Sequence, residues 1–490
     1  MYSKREYECK IRLLEKKSLV ASERIEELKK ERSDLRATNR KLRKSNKNLK
    51  VSRSTWKSKN RSKGLRINNL EHKLKRRGCK AFKHHYELWL VGLCVTLRLK
   101  GKCSYRSVRR ILEILNIHFD LGLRRLPCAN SIENWVSKIG LFYLQEDRWP
   151  IWGKEVCLII DESIRVGQEK LLLILSSRAM KLSKEALKYS DVKVCYLGGR
   201  VSWTADLIKK EVEKLKKALG FKVQYILSDE DSKLRKSARL LELPHVADIS
   251  HAVGSCLRKT FEAAVDYQSF MKLITAFQYK SVNQSLSYLR PPKQRIKARF
   301  MNQKQVITWA VKMLNRFSEL NEKESAFFSE LQNHQPIIEI LDKCMAVGQE
   351  VSLLLKTEGL NHQTLKSAFQ FLENENSEEG LIPVFLNHLK SYLIGYQSIM
   401  NKNIPKNINI CSDVIESLFG VYKERISKNP IAGVSLLSLE LPLCCLKENE
   451  QLDIKQGLEY CFLSDLDEWK NTYSADNQRI KRIKFFENRA

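Results

Sequence analysis

Apolar runs and amphipathic stretches alternate between residues 154 and 250, and their order predicts an α/β domain. Three short apolar runs come first, and their short connections predict an antiparallel meander of strands at residues 154–161, 169–178 and 191–199. An amphipathic stretch at 204–220, stopped by Gly220, then predicts a crossover helix. Residues 221–229 and 244–250 predict a fourth and a fifth strand, each followed by a helix. The predicted order is β-β-β-α-β-α-β-α.

Three carboxylates stand at positions suited to binding divalent metal ions. Asp161 ends the first predicted strand, Asp229 ends the fourth, and Glu416 lies in the helical stretch CSDVIESLFGVYK. Mg²⁺ prefers carboxylate oxygen ligands, and two ions roughly 4 Å apart can clamp the attacking and leaving oxygens of a phosphoryl transfer. Because open α/β sheets place their sites at the carboxyl ends of neighbouring strands, Asp161 and Asp229 are candidates for such a centre. The alternative for either residue alone is a turn residue or a helix N-cap.

Other acidic residues compete for the same role. Glu162 adjoins Asp161, but successive side chains of a strand point to opposite faces, and Asp231 falls a turn later in the next helix. Asp413 precedes Glu416 by one helical turn and is the strongest rival for the third ligand, since residues three apart share a helix face. We prefer Glu416, because the apolar residues that follow it would bury one face of the helix against the sheet.

The strand order and the two strand-end aspartates resemble the ribonuclease H-like core of DDE transposases. Those enzymes carry their first Asp on strand one and their second at the end of strand four, as Asp161 and Asp229 do here. Residues 255–405 are mostly amphipathic helix and resemble the insertion that hAT-like and Mutator-like transposases place before the last catalytic helix. The resemblance covers residues 150–430 and predicts an α/β, ribonuclease H-like mixed sheet with a large helical insertion.

Two shorter motifs add to this resemblance. Asp248-Ile-Ser-His251 is similar to the Cys/Asp-x-x-His motif that follows strand five in those families. Glu416 and Lys423 have the spacing of the Glu-x6-Lys half of the Tyr-Arg-Glu-Lys signature of bacterial insertion-sequence transposases, although Asn409 and Ser412 replace its Tyr and Arg. The alternatives are that Lys423 is an ordinary lysine of a solvated helix and that His251 is a partly buried histidine bonded to a carbonyl group.

The resemblance implies a DNA transposase that cleaves transposon ends and transfers strands into target DNA. Asp161, Asp229 and Glu416 would hold two Mg²⁺ or Mn²⁺ ions, one activating water or a 3′-hydroxyl and the other stabilising the leaving oxygen. Asp248, His251 and Lys423 would support them. The implied parts of the chain are a basic arm, a helix-turn-helix region, the first part of the core, the helical insertion, the catalytic helix and a helical tail, at 1–80, 81–150, 151–254, 255–405, 406–430 and 431–490.

The first 80 residues combine strong positive charge with a heptad repeat. They hold 28 Lys and Arg against 9 Asp and Glu, and so contribute +19 of the chain's net charge of +32. Such a block favours nucleic acid as the partner. Leucine recurs every seven residues at four of the positions from 28 to 49, and Asn39 and Asn46 fall at the other core position, which predicts a dimeric coiled coil over residues 10–49. A single charged helix and a disordered basic tail after residue 43 are the alternatives.

Residues 81–150 predict a helical DNA-binding region. The apolar run 86–99 is 14 residues long, too short to span a bilayer, and predicts a buried helix. Residues 104–117 and 128–144 then give helix, turn and helix, which resembles a helix-turn-helix, although helix pairs are common in all proteins. The candidate DNA contacts are arginines of the first helix and the polar face, predicted to be exposed, of the second: Arg106, Arg109, Arg110, Ser131, Asn134 and Lys138.

Composition agrees with a multidomain cytoplasmic protein of bacterial type, associated with the nucleoid. The 13 cysteines form no Cys-x-x-Cys pair, and no Walker-type phosphate loop is present. The predicted partners are double-stranded DNA, both transposon ends and target, and further copies of the chain in a dimer or larger synaptic assembly, with no membrane. Two other classes remain open: a transposase-derived DNA-binding protein without cleavage, and a basic coiled-coil regulator with an unrelated α/β domain.

Overall fold

The fold is described from a computed structural model. Two compact units divide the chain, Met1–Arg77 and Gly78–Ala490. Apart from Leu28 and Glu31, the residues described all belong to the second unit: 79–119, 121–145, 155–162, 169–282, 285–293, 300, 303–375, 380–402, 404–426, 433–446, 452–474 and 478–487. The predicted coiled coil over residues 10–49 lies outside this described part.

A mixed five-stranded sheet forms the centre of the second unit. Its spatial order is β3-β2-β1-β4-β5. The first three strands pair antiparallel, as the predicted meander requires, whereas β4 pairs parallel to β1 and β5 parallel to β4. The strands run over β1 (Glu155–Glu162), β2 (Lys170–Arg178), β3 (Val192–Arg200), β4 (Lys222–Ser228) and β5 (His245–Ala247). All five lie within the ranges predicted from the apolar runs or one residue beyond them, which confirms the predicted order of strands.

Three helices precede the sheet. They are α1 (Leu88–Leu99), α2 (Tyr105–Phe119) and α3 (Ala129–Gln145). In α1 the side chains of Leu90, Val91, Cys94 and Val95 are fully buried, so the apolar run 86–99 is a core helix, as predicted. No helix in the described part of the chain combines the length and apolar character needed to cross a bilayer.

Both faces of the sheet are covered, because the chain crosses from one face to the other between strands. On β1, Val156, Leu158 and Ile160 pack with the crossover helix α4 (Ala205–Leu219) and with α5 (Ser232–Leu240). Thr204 caps the start of α4 by accepting a hydrogen bond from the Leu207 amide, and Gly220 ends it at a φ of 61°. The opposite face, with Cys157 and Ile159, packs against α6 (Ile249–Phe261) and the helices that follow.

The described residues between α6 and residue 404 are helical or lie in turns, as predicted for 255–405. Long helices of this segment bury their apolar faces against α6 and against one another, for example Phe385, Leu389 and Leu393. The helices are α7 (Val265–Lys280), α8 (Gln303–Asn315), α9 (Glu322–Phe328), α10 (Gln335–Glu358), α11 (His362–Asn374) and α12 (Leu381–Met400).

The last helices return to the start of the second unit. After α13 (Asp413–Arg425) come α14 (Leu441–Cys444), α15 (Ile454–Tyr460), α16 (Leu463–Tyr473) and α17 (Gln478–Glu487). Leu443 and Leu458 share one core with residues of α1, α2 and α3. A Cβ at Gly140 of α3 would lie only 1.9 Å from the carbonyl oxygen of Leu439. Residues 436–473 therefore complete the core around α3.

Candidate active site

The two strand-end aspartates are neighbours at one edge of the sheet. Ile159 of β1 lies opposite Leu227 of the parallel strand β4, and Asp161 and Asp229 each come two residues later. Asp161 also lies opposite Leu173 of β2, whose side chain belongs to the face covered by α6 and α13. This face is therefore the one on which a third ligand from a helix can approach.

The competing carboxylates beside these aspartates serve other contacts. Glu162 lies on the opposite face, opposite Leu172, and accepts hydrogen bonds from Lys170 at 2.6 Å and from Lys233. Asp231 caps α5 by accepting a hydrogen bond from the Lys233 amide at 2.8 Å. The alternation of side chains along β1 thus separates Glu162 from Asp161, as expected for a strand.

Helix α13 brings Glu416 to the same face of the sheet. Its apolar side, including Ile415, Leu418 and Phe419, is buried, while Glu416 lies on the exposed side. The Glu416 carboxylate lies 2.9 Å from Nε2 of His251, in the first turn of α6. The apolar residues after Glu416 anchor this helix against the sheet, as the sequence suggested.

Hydrogen bonds fix the segment that leads into α13. The Asn409 amide donates to the Tyr225 hydroxyl of β4 at 3.0 Å, and the Ile249 amide donates to the Ile410 carbonyl at 3.1 Å. Asp248 is almost completely buried and accepts hydrogen bonds from the Ser412 amide at 2.6 Å and the Ser412 hydroxyl at 3.0 Å. Asn409 and Ser412, which replace the Tyr and Arg of the bacterial signature, therefore anchor the catalytic helix to the core.

Burial and negative charge make Asp161 unusually basic. Burial is the main cause, and the charges of Asp229 and Glu416 add to it, so that the pKa of Asp161 rises to about 8, although His251 opposes the rise. Burial also raises the pKa of Asp229 above its ordinary value. Carboxylates whose charges are this unfavourable gain from a nearby cation, which is the electrostatic condition for binding a metal ion.

His251 is the positive group among these carboxylates. Burial acts to lower its pKa, but the hydrogen bond to Glu416 and the charges of Asp248, Glu416 and Asp229 outweigh burial and raise the pKa to about 9. The imidazole is therefore protonated at neutral pH. Asp248 accepts a hydrogen bond from the His251 amide at 3.0 Å, so the predicted Asp-x-x-His motif is the N-terminal cap of α6.

A second acidic group lies behind Glu416. Ligand atoms of Asp248, Cys411 and Asp413 lie within 4.8 Å of one another and could hold a metal ion. No other such group of three occurs among the described residues, so the oxygens of Asp161, Asp229 and Glu416 do not converge within this distance as a set. The pKa of the Cys411 thiol lies well above its ordinary value because the thiol is buried.

Asp413, the rival for the third ligand, points to this second group. Its carboxylate forms an ion pair with Lys356 at 2.6 Å. Charges of Glu416 and Asp229, by contrast, act directly on the pKa of Asp161. Neither Cys411 nor Lys356 stood out in the sequence, because a single cysteine and a lysine near a helix end match no pattern. Their proximity follows only from the packing of α10 against the segment before α13.

The predicted DNA contacts fall into two sets. Arg106, Arg109 and Arg110 are exposed on α2. Lys138, however, is buried, with a relative exposure of 8%, and burial lowers the pKa of its ammonium group. The expectation that Lys138 lies on an exposed face is wrong, because α15 and α16 pack against that part of α3.

The other predicted residues of these helices keep partial or full exposure. Ser131 and Asn134 on α3 are half-buried. Lys423 is exposed on α13, and its ammonium group lies 5.8 Å from the centre of the Phe419 ring. Glu416 and Lys423 are seven residues apart on the exposed side of α13, so they line one face of the helix.

No family model matches this sequence, and no curated protein is significantly similar to it. The functional argument therefore depends on the geometry and charge of the site. Its strongest element is the pair of aspartates at the carboxyl ends of adjacent parallel strands, with a glutamate supplied by a helix on the same face.

Proposed function

We propose that the protein is a DDE-type DNA transposase, which cleaves DNA at transposon ends and transfers the strands into target DNA. The observation that carries this proposal is the register that makes Asp161 and Asp229 neighbours, with Glu416 on the same face. The strand order β3-β2-β1-β4-β5, antiparallel and then parallel, supports a ribonuclease H-like core. The long helical segment between β5 and α13 supports the comparison with transposases that carry an insertion there.

The donor set fits hard divalent cations. Asp161, Asp229 and Glu416 offer only carboxylate oxygens, the ligands that Mg²⁺ and Mn²⁺ prefer. The raised pKa of Asp161 reflects an unfavourable charge that a cation would relieve. Two bound ions would activate water or a 3′-hydroxyl and stabilise the leaving oxygen. Asp161 would contribute to both positions, since the charges of the other two carboxylates both act on it.

The residues around the triad orient it. Asp248 holds the start of α6 and the Ser412 segment together, and so keeps His251 and Glu416 in place. The protonated His251 balances negative charge and holds the Glu416 carboxylate through its Nε2 atom. Lys423, on the same face of α13 as Glu416, is placed to contact a phosphate of the bound strand.

The positive charge of the chain supports DNA as the substrate. Residues 1–80 contribute +19 of the net charge of +32, and three arginines of α2 are exposed. Each basic group that neutralises a phosphate releases counterions, so binding is expected to weaken steeply with salt. Further copies of the chain would bring two transposon ends together, with the heptad positions of the arm as the dimerisation segment.

A second candidate function is DNA binding without cleavage by a transposase-derived protein. The observation that favours it is the separation of the three carboxylates, whose oxygens do not lie within 4.8 Å of one another as a set. His251 also engages Glu416 directly. In this alternative the carboxylates are remnants of a site, and the exposed basic surface is the functional part.

Replacement of Asp161 by Asn distinguishes the two functions. Purified protein is incubated with labelled DNA that flanks the gene, in Mg²⁺ or Mn²⁺, and both cleavage and DNA affinity are measured. The enzyme reading predicts cuts that fall by about a thousandfold or more in Asp161→Asn, with unchanged affinity. Glu162→Gln, which removes the adjacent carboxylate on the other face, is the matched control and should still cut. Equal binding by all three proteins with no metal-dependent cut would favour the second function.

A further inference from the structure

A buried carboxylate joins the two ends of the molecule that the proposed function uses. Glu440 ends the short helical turn Leu436–Glu440 and has a relative exposure of 2%. It accepts hydrogen bonds from Arg98 Nε at 2.7 Å, from the Tyr105 hydroxyl and from Arg425 Nη1. Three donors from three helices therefore converge on one side chain that the proposed chemistry does not use.

Each donor comes from a point where the chain changes direction. Arg98 is in the last turn of α1, Tyr105 is the first residue of α2, and Arg425 is the last residue of α13. The Arg98 guanidinium also donates to the Cys103 carbonyl at 3.0 Å and lies 4.6 Å from the centre of the Tyr105 ring. The turn between α1 and α2 is thus held by the same network as the end of α13.

Direct contacts between the turn and α13 reinforce this connection. Arg425 Nη2 donates to the Leu99 carbonyl at 3.3 Å. On the surface, Lys102 and Glu424 form an ion pair at 3.6 Å, with both side chains about two-thirds exposed or more, at 70% and 67%. The buried bonds are the stronger part of the connection, because exposed ion pairs contribute little.

The network lies between the proposed DNA surface and the third carboxylate. Arg106, Arg109 and Arg110 follow Tyr105 directly on α2 and are exposed. Glu416 precedes Arg425 by nine residues on one continuous helix, which corresponds to roughly 14 Å at 1.5 Å per residue. A shift of α2 would therefore act on α13 through Glu440, since a buried carboxylate held by two guanidinium groups does not give up a partner without cost.

We propose that Glu440 is a positioning residue, which couples DNA bound on α2 to the orientation of α13 and so to Glu416. This inference rests on the proposed function, because it takes α2 as a DNA-contacting helix. Loss of the coupling would lower kcat for cleavage and leave the affinity for DNA unchanged. A residue that only stabilised the fold would affect α13 equally with and without DNA.

Hydrogen–deuterium exchange with and without a short DNA duplex of arbitrary sequence measures this coupling without any need for cleavage. In the wild-type chain, the duplex should slow amide exchange in residues 105–119 and also in 413–425, by about threefold or more. In Glu440→Gln the slowing should remain in 105–119 and disappear in 413–425. Glu424→Gln removes a glutamate that joins the same two segments at the surface, and should behave as the wild type.

Tyr105→Phe provides a milder second variant, since it removes one hydroxyl and keeps the aromatic ring. It should reduce the DNA-dependent slowing in 413–425 even if Glu440→Gln does not fold. The inference is overturned if the duplex protects 105–119 but leaves 413–425 unchanged in the wild type, or if Tyr105→Phe and Glu440→Gln keep the full effect. It is also overturned if 105–119 gains no protection. The proposed cleavage is judged separately, by the metal-dependent cuts that depend on Asp161.

Discussion

Replacing Asp161 by Asn is predicted to stabilise the folded protein while it abolishes the proposed activity. Asn has nearly the same shape as Asp but carries no charge. The pKa of Asp161 rises to about 8 from an ordinary value of 3.8, because the side chain is buried and lies near Asp229 and Glu416. An ionised carboxylate at this position therefore opposes folding, as expected for a site kept for function at the expense of stability.

The direction of the pH dependence follows from proton binding. Between pH 3.8 and about 8 the folded chain holds a proton on Asp161 that the unfolded chain has released. The free energy of unfolding attributable to this group therefore falls as the pH rises through that window. At pH 7 the difference from 3.8 is about 3 pH units, which corresponds to about 4 kcal/mol at most. Because the side chain retains partial exposure, we expect about 2 kcal/mol.

Urea denaturation in the presence of EDTA measures this effect. Asp161→Asn should be more stable than the wild type by about 2 kcal/mol at pH 7 and by a little more at pH 8, and equally stable near pH 4. Asp231→Asn is the control, because Asn caps a helix as well as Asp does, so its stability should change little at any pH. A loss of stability in Asp161→Asn at both pH 4 and pH 8 would refute the reasoning and identify Asp161 as a structural turn residue.

Three further predictions concern packing, the anchor of the catalytic helix and DNA affinity. Gly140→Ala should destabilise the fold by about 3 kcal/mol or more in thermal denaturation, since its Cβ would meet the Leu439 carbonyl at 1.9 Å, whereas Gly395→Ala, with nothing within 4 Å, should stabilise it by up to about 1 kcal/mol. Asp248→Ala should cost about 3–5 kcal/mol in urea denaturation, because the helix cap and both bonds from Ser412 are lost, and Ser412→Ala only about 1. Fluorescence anisotropy over a range of salt concentrations should show weaker binding of duplex DNA, with a salt slope smaller by about 0.9 per lost phosphate contact, when Ala replaces the exposed arginines of α2: Arg106, Arg109 and Arg110.

The sheet could be predicted from the sequence because its strands are short, apolar and separated by clear turns. In β1 the residues from Val156 to Ile160 are all fully buried, and this produces the continuous apolar run that predicts a central strand. The strand order then placed Asp161 and Asp229 at neighbouring carboxyl ends. The side-chain alternation of β1 also assigned Glu162 correctly to the other face.

Contacts between distant segments could not be predicted in the same way. A helical pattern shows which side of α3 is apolar, but it does not show that residues 436–473 return to cover its polar side. Lys138 is buried for this reason. The Asp248–Cys411–Asp413 group likewise depends on packing between residues more than 160 positions apart. The Glu440 network joins Arg98 to a residue 342 positions later, and no local pattern encodes that pairing.

The most direct test of the proposed metal site compares the two acidic residues of α13. Glu416→Gln and Asp413→Asn are assayed, with the wild type, for Mg²⁺- or Mn²⁺-dependent cleavage of DNA that flanks the gene. The account predicts discrete cuts by the wild type, their loss in Glu416→Gln with unchanged DNA affinity, and cuts that remain in Asp413→Asn. Cleavage that survives in Glu416→Gln, or the absence of any metal-dependent cut by the wild type, would contradict it.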